Sequence, residues 1–312
     1  MYRKLSFCLA AALLLALPAG CGNPSAARTV SPTPDPSAAD TAPVLATPGP
    51  TPEPTPAATP EPTPEPTSEP TSEPAPESTP KPTPEPTTQP SPLYEFGTPV
   101  EESEPAADDS FFDNAVFLGD SRTEGLELFG GLKHGTYYWA QGMTVFRADD
   151  KDSKVFTIDG KKYTLLGALR KKSYDAVYIM LGVNELGYSA DRYEAGLSRL
   201  VDKVLEAQPE AVVYLQIMPP LNDAMCRSNG LARYINNDNL QKFNEAIQRV
   251  AAEKKVALLN TAEVYTGEDG QLPAKLSRDG CHFQYGAYSL WADYLRSHII
   301  DREQYFYSRE QS

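Results

Sequence analysis

Between residues 31 and 92 the chain holds 22 of its 30 prolines, in repeats such as TPEPTPEPTSEPTSEP, with almost no large apolar side chain. No other feature limits the fold so strongly. Proline fixes φ and removes a backbone donor, so a stretch with proline at about every third position cannot enter a helix or a central strand. Without apolar side chains there is also nothing to bury. The stretch reads as an extended, polyproline-like spacer whose reach, at about 3.1 Å per residue, is at most roughly 190 Å. With the spacer placed over 21–109, the segment 110–305 is left as the one part of a size that forms a domain with its own core.

The formal net charge of −14 belongs to the spacer as well. Residues 31–110 hold 15 acidic residues and one lysine, whereas 111–312 hold 27 acidic and 24 basic ones. The domain is therefore nearly neutral, and no nucleic-acid partner is expected.

Residues 1–20 have a basic start and an apolar stretch too short to span a membrane comfortably, followed by Pro18-Ala19-Gly20-Cys21. This is the pattern of an export signal, and the last four residues resemble a bacterial lipobox. On that reading Cys21 is lipidated and becomes the mature N-terminus, anchored to the outer face of a bacterial membrane. The match departs from the usual pattern: Leu17 lies four residues before the cysteine, and Pro18 takes the usual leucine place. An ordinary secretory signal is the alternative, and either one places the protein outside the cytoplasm.

The domain alternates strand and helix patterns. Apolar runs at 114–119, 136–140, 175–181, 211–217 and 256–260 read as strands buried on both faces. Helical spacing covers 193–208, 239–255 and 285–299, and 121–130 has the apolar spacing and acidic first turn of a helix start. The order predicts a mostly parallel sheet covered by helices, with a small hairpin over 154–166 turning at Asp159-Gly160.

In such a sheet, reactive residues collect after the carboxyl ends of the strands. Gly119-Asp120-Ser121 follows the first strand, Gly142 the second, and Gly182-Val183-Asn184-Glu185 the third; Asp279 and His282 precede the final helix. On local sequence alone Ser121 is either a helix cap or a nucleophile. Acyl transfer needs a serine activated by an imidazole, an acid that fixes that imidazole, and donors for an oxyanion. Ser121, His282 and Asp279 fit the first three roles. The Ser121 and Gly142 N–H groups and the Asn184 amide fit the last. Of the three histidines, His134 and His298 have no comparable setting.

These blocks resemble those of the SGNH hydrolases, also called GDSL-type esterases and lipases, over about 110–300. The resemblance implies a three-layer, flavodoxin-like α/β/α sandwich. It also implies Ser121 as nucleophile, Asp279 and His282 as the rest of a triad, and an oxyanion hole from Ser121, Gly142 and Asn184. Two positions depart from the pattern: Glu185 stands where the family usually has aspartate, and Arg122 where it usually has leucine. Arg122 reads either as a lure for an anionic substrate or as a solvated helix residue.

The setting points to a serine esterase that removes small acyl groups, acetyl above all, from cell-envelope carbohydrate. Tyr137, Tyr138 and Trp139 offer a face for a sugar ring, or else pack in the core. No long apolar lid segment is visible, which weighs against a long-chain lipase. An O-acyltransferase using the same triad and a non-catalytic glycan-binding module are the alternatives. No metal or cofactor is expected, and the oligomeric state is not legible. With Cys8 removed and Cys21 lipidated, Cys226 and Cys281 are left either to pair in a disulfide or to remain buried thiols.

Overall fold

The computed structural model of the protein describes residues 92–312. The expected signal peptide, the expected lipidation at Cys21 and the expected spacer as far as residue 91 lie outside the described residues.

Five strands form one parallel sheet: β1 (Ala115–Gly119), β2 (Thr136–Trp139), β5 (Ala176–Met180), β6 (Val212–Gln216) and β7 (Ala257–Leu259), in the spatial order β2-β1-β5-β6-β7. A separate antiparallel pair, β3 (Phe156–Ile158) and β4 (Lys161–Tyr163), is the hairpin expected from Asp159-Gly160. β1, β5 and β6 are buried along their whole length, the pattern of strands covered on both faces.

Alternation along each strand divides the core in two. Val116, Leu118, Val177 and Ile179 face a layer made by α2 (Leu165–Leu169), α3 (Ala190–Ala207) and α5 (Asn237–Lys254), to which the short α4 (Asp223–Ser228) adds Cys226. Ala115, Phe117, Tyr178 and Tyr214 face the other layer, with α1 (Ser121–Phe129), α6 (Tyr288–Ser297) and α7 (Arg302–Gln311). Tyr178 and Tyr214 stack with centroids 4.5 Å apart. Each fully buried large apolar side chain contributes roughly 1.5–3 kcal/mol, so Leu118→Ala would cost about 2–5 kcal/mol. The result is the expected three-layer α/β/α sandwich.

The folded part begins earlier than residue 110. Val100 is buried and its N–H donates to Leu258 O at 2.8 Å, beside a parallel bridge between Pro99 and Leu258. The Tyr94 hydroxyl accepts from Leu258 N–H at 3.0 Å, and the Tyr94 N–H donates to Ser308 Oγ at 2.8 Å. The domain also runs past residue 305, because α7 buries Tyr305 and Ser308. The physical reason is that Tyr94, Phe96 and Val100 carry enough apolar surface to pack against the layer that holds α6 and α7.

Candidate active site

β1 ends at Gly119, and Asp120 is the N-cap of α1. Asp120 Oδ1 accepts from the Arg122 N–H at 2.9 Å, so the cap is the aspartate and the Ser121 hydroxyl is free for other bonds. A Cβ on Gly119 would lie 1.8 Å from Thr123 Oγ1 and 2.9 Å from the Met180 carbonyl, so only glycine lets this turn close against β5.

Ser121 Oγ lies 2.9 Å from His282 Nε2, and His282 Nδ1 lies 2.7 Å from Asp279 Oδ2. Asp279 Oδ1 accepts from the N–H groups of Cys281 at 2.8 Å and His282 at 2.7 Å. The aspartate therefore both folds the turn and aims the ring. Burial alone would raise the Asp279 pKa, but those two N–H bonds and the His282 ring outweigh it and hold the carboxyl below its ordinary value. An ionised Asp279 accepts the Nδ1 proton and leaves Nε2 as an acceptor facing the serine.

Ser121 opens α1, where its N–H has no partner within the helix, and that N–H donates to no loop or side-chain acceptor among the described residues. Gly142, with φ +67°, lines the same cleft as Ser121 and His282, and its N–H likewise donates to no acceptor among the described residues. Asn184 differs. Its Nδ2 donates to Asp120 Oδ2 at 3.0 Å and to Met143 O at 3.1 Å, so both amide hydrogens are engaged.

Arg122 overturns both sequence readings. It is neither solvated nor turned to the cleft but 1% exposed, the one buried lysine or arginine among the described residues. Its Nε and Nη2 donate to Cys281 O at 3.2 and 3.0 Å, Nη1 donates to Pro219 O at 3.3 Å, and Phe283 lies 5.3 Å from the guanidinium carbon. Asp120, also 1% exposed, is raised in pKa by burial, which its bond from the Arg122 N–H and the Arg122 and His282 charges oppose. Glu185 is buried too. Its Oε1 accepts from the Val145 N–H at 2.6 Å while Oε2 has no partner, and burial, with Asp120 nearby, pushes its pKa up to about 8.

The serine and histidine open on a cleft of about 730 Å³ lined by Phe129, Gly142, Asn184, Tyr234, Arg278 and Tyr285 among others. Tyr137, Tyr138 and Trp139 do not line it. Tyr137 stacks on Phe117 at 4.7 Å, Tyr138 meets Phe156 edge-on at 5.5 Å, and Trp139 bonds to Glu127. The cleft aromatics are Phe129, Tyr234, Tyr285 and Tyr288, which are scattered along the chain and share no local pattern. A hollow of about 430 Å³ at the β6–β7 side holds no serine, cysteine or histidine, and its Asn244 is committed to the Met218 backbone. No group of three or more histidine, cysteine, aspartate or glutamate residues among those described could hold a metal ion.

Cys226 and Cys281 are not bridged. Both are free, buried thiols, and the Cys281 sulfur faces Arg122 Nη2 at 3.9 Å.

A parallel sheet with a serine, a histidine and an aspartate in hydrogen-bond line after its strand ends has the layout of a serine hydrolase. The chain belongs to the GDSL-like lipase/acylhydrolase family, whose model matches residues 117–290, and the family is one of ester hydrolases. No curated protein matches it in sequence. Among solved structures it is similar to a candidate platelet activating factor from Streptococcus pneumonia, at 20% identity and TM-score 0.47, over 59% of this chain and 82% of that one. It is also similar to a GDSL-like lipase from Bacteroides thetaiotaomicron, at 18% identity and TM-score 0.44, over 59% and 85% of the two chains. A candidate acylhydrolase from Bacteroides fragilis is similar at 17% identity and TM-score 0.45, over 61% and 88%.

Proposed function

We propose that the protein is an extracytoplasmic serine esterase that removes small acyl groups, chiefly O-acetyl, from cell-envelope carbohydrate. The observation that carries the reading is the line Ser121 Oγ, His282 Nε2, His282 Nδ1, Asp279 Oδ2, with separations of 2.9 and 2.7 Å at its two hydrogen bonds. His282 takes the hydroxyl proton as Ser121 attacks the ester carbonyl, and Asp279 stabilises the imidazolium. The N–H groups of Ser121 and Gly142 receive the oxyanion, joined by the Asn184 amide hydrogen that otherwise bonds Met143 O and assisted by the positive end of α1. His282 then passes its proton to the departing sugar oxygen. Water, activated by the same imidazole, cleaves the acyl-serine and regenerates the hydroxyl.

Substrate class rests on setting. The export pattern with its lipobox-like Cys21, and a proline spacer that gives reach from a membrane, favour an envelope substrate. The open cleft with exposed Phe129, Tyr234 and Tyr285 suits a sugar ring better than a long acyl chain. The test is to incubate the purified protein with model acetyl esters and with acetylated envelope glycan, and to follow free acetate with and without an acceptor sugar. Acetate released at a rate independent of acceptor is the expected result. Acyl transfer to the acceptor without free acetate would make the protein a transferase, and no turnover of either substrate would remove the esterase reading.

A further inference from the structure

Arg122 stands next to Ser121 in the chain and, through its side chain, touches the residues on both sides of His282. Its Nε and Nη2 converge on the Cys281 carbonyl at 3.2 and 3.0 Å, and the Phe283 ring lies 5.3 Å from the guanidinium carbon. A third bond, Nη1 to Pro219 O at 3.3 Å, ties the same group to the segment after β6. The turn that carries the imidazole has a local brace in Asp279, but Asp279 lies on that turn and cannot fix its distance from α1. Among these contacts only the guanidinium spans from the serine's helix to the backbone beside the histidine.

The placement is costly. A buried cation loses its hydration, and an apolar side chain would fill the same space at lower cost. Asp120, buried one residue before Ser121, supplies an opposing charge and also accepts from Asn184 Nδ2 at 3.0 Å. The planar fork of arginine can reach two carbonyls in fixed directions, which a lysine cannot do.

We propose that Arg122 is a positioning residue for proton transfer between Ser121 and His282, its guanidinium holding the 281–283 turn at the distance from α1 that keeps Oγ and Nε2 in hydrogen-bond contact. The inference rests on the esterase reading above. It predicts that Arg122 acts through His282 and has little effect once the imidazole is gone.

The test compares Arg122→Lys and Arg122→Met, each in the otherwise unchanged protein and in a His282→Ala background. Turnover of an activated acetyl ester is read per folded molecule, with folding followed by circular dichroism. Arg122→Lys keeps the charge opposite Asp120 and so folds, but loses the fork; kcat should fall by about 10- to 100-fold, as for a small misplacement of reacting groups, with KM within about twofold. In the His282→Ala background the same substitution should change the residual rate less than about twofold. Wild-type kcat in folded Arg122→Lys and Arg122→Met overturns the role. So does an equal fold-loss in both backgrounds, or an Arg122→Lys protein that does not fold, either of which makes the arginine a scaffold residue. A wild-type protein with no turnover removes the esterase reading and this inference together, whereas an active wild type with unaffected variants removes this inference alone.

Discussion

Asn184 Nδ2 donates to Asp120 Oδ2 at 3.0 Å, so the carboxylate that caps the helix of Ser121 also holds the amide at the end of β5. The second amide hydrogen goes to Met143 O at 3.1 Å. A developing oxyanion can draw on Asn184 only by sharing or taking that second hydrogen. The exchange is favourable, because a charged oxygen is a stronger acceptor than a neutral carbonyl.

Asn184→Ala should therefore lower kcat by about 10²–10³-fold with KM nearly unchanged, since the bond forms chiefly in the transition state. Asn184→Asp should do worse, because it removes both donors and sets a second carboxylate against Asp120. Steady-state kinetics on the folded variants checks both. Full activity in folded Asn184→Ala would confine the oxyanion hole to the Ser121 and Gly142 N–H groups.

An organophosphonate ester should label Ser121 and no other serine, and labelling should vanish in Ser121→Ala and His282→Ala. Asp279→Asn should keep the fold while lowering kcat on the order of 10⁴-fold, because the imidazole tautomer would no longer be fixed. Mass spectrometry of the adduct and single-turnover rates provide the readouts. An adduct on another serine would remove Ser121 from its role.

Glu185 predicts a pH-dependent instability. Its folded pKa is raised to about 8, so between about 4.5 and 8 the native state binds more protons than the unfolded chain, and its contribution to stability falls as pH rises. Glu185→Gln should match the wild type near pH 4.5 and exceed it at pH 8, by on the order of a few kcal/mol. Urea denaturation at the two pH values measures the difference. An unchanged gap between the two proteins across that range would mean Glu185 is ionised in the native state.

The two thiols should be inert while the protein is folded. Burial pushes Cys226 up to about 11 and raises Cys281 as well, so thiolate is scarce at pH 8 and access is closed. Alkylation followed by peptide mapping should mark Cys226 and Cys281 only after denaturation. Rapid labelling of either residue in native protein would contradict their burial.

Strands and long helices were legible because each carries a pattern within a few consecutive residues: the apolar runs of β1, β5 and β6, and the 3.6-residue spacing of α3 and α5. The placement of Ser121, Asp279 and His282 followed from reading what stands after each strand. Arg122 was misread because one basic residue on a helix looks the same whether it meets water or the Cys281 carbonyl, a partner 159 positions away. Tyr234 and Tyr285 were missed for the same reason, since a cleft is assembled from distant turns. α7 and the Tyr94–Val100 segment were missed because each has too few apolar residues to show a period, and they become ordered by packing on elements already formed.

That early segment also determines how the domain is held. Pro99 and Val100 lie along β7, the outermost strand, and β7 stands three strands from β1 in the sheet. A pull exerted along the backbone from the N-terminal side is therefore delivered to Leu258 and, through Tyr94, to Ser308 on α7. Beyond Val100 the same backbone is pinned again, by Ser103 N–H to Ser297 O at 2.6 Å and Ala107 N–H to Arg296 O at 2.9 Å, before it enters β1. The bonds to Leu258, Ser308, Ser297 and Arg296 thus stand in series ahead of β1, and a pull from that side must break them before it reaches the turn that carries Ser121 and its 2.9 Å contact with His282.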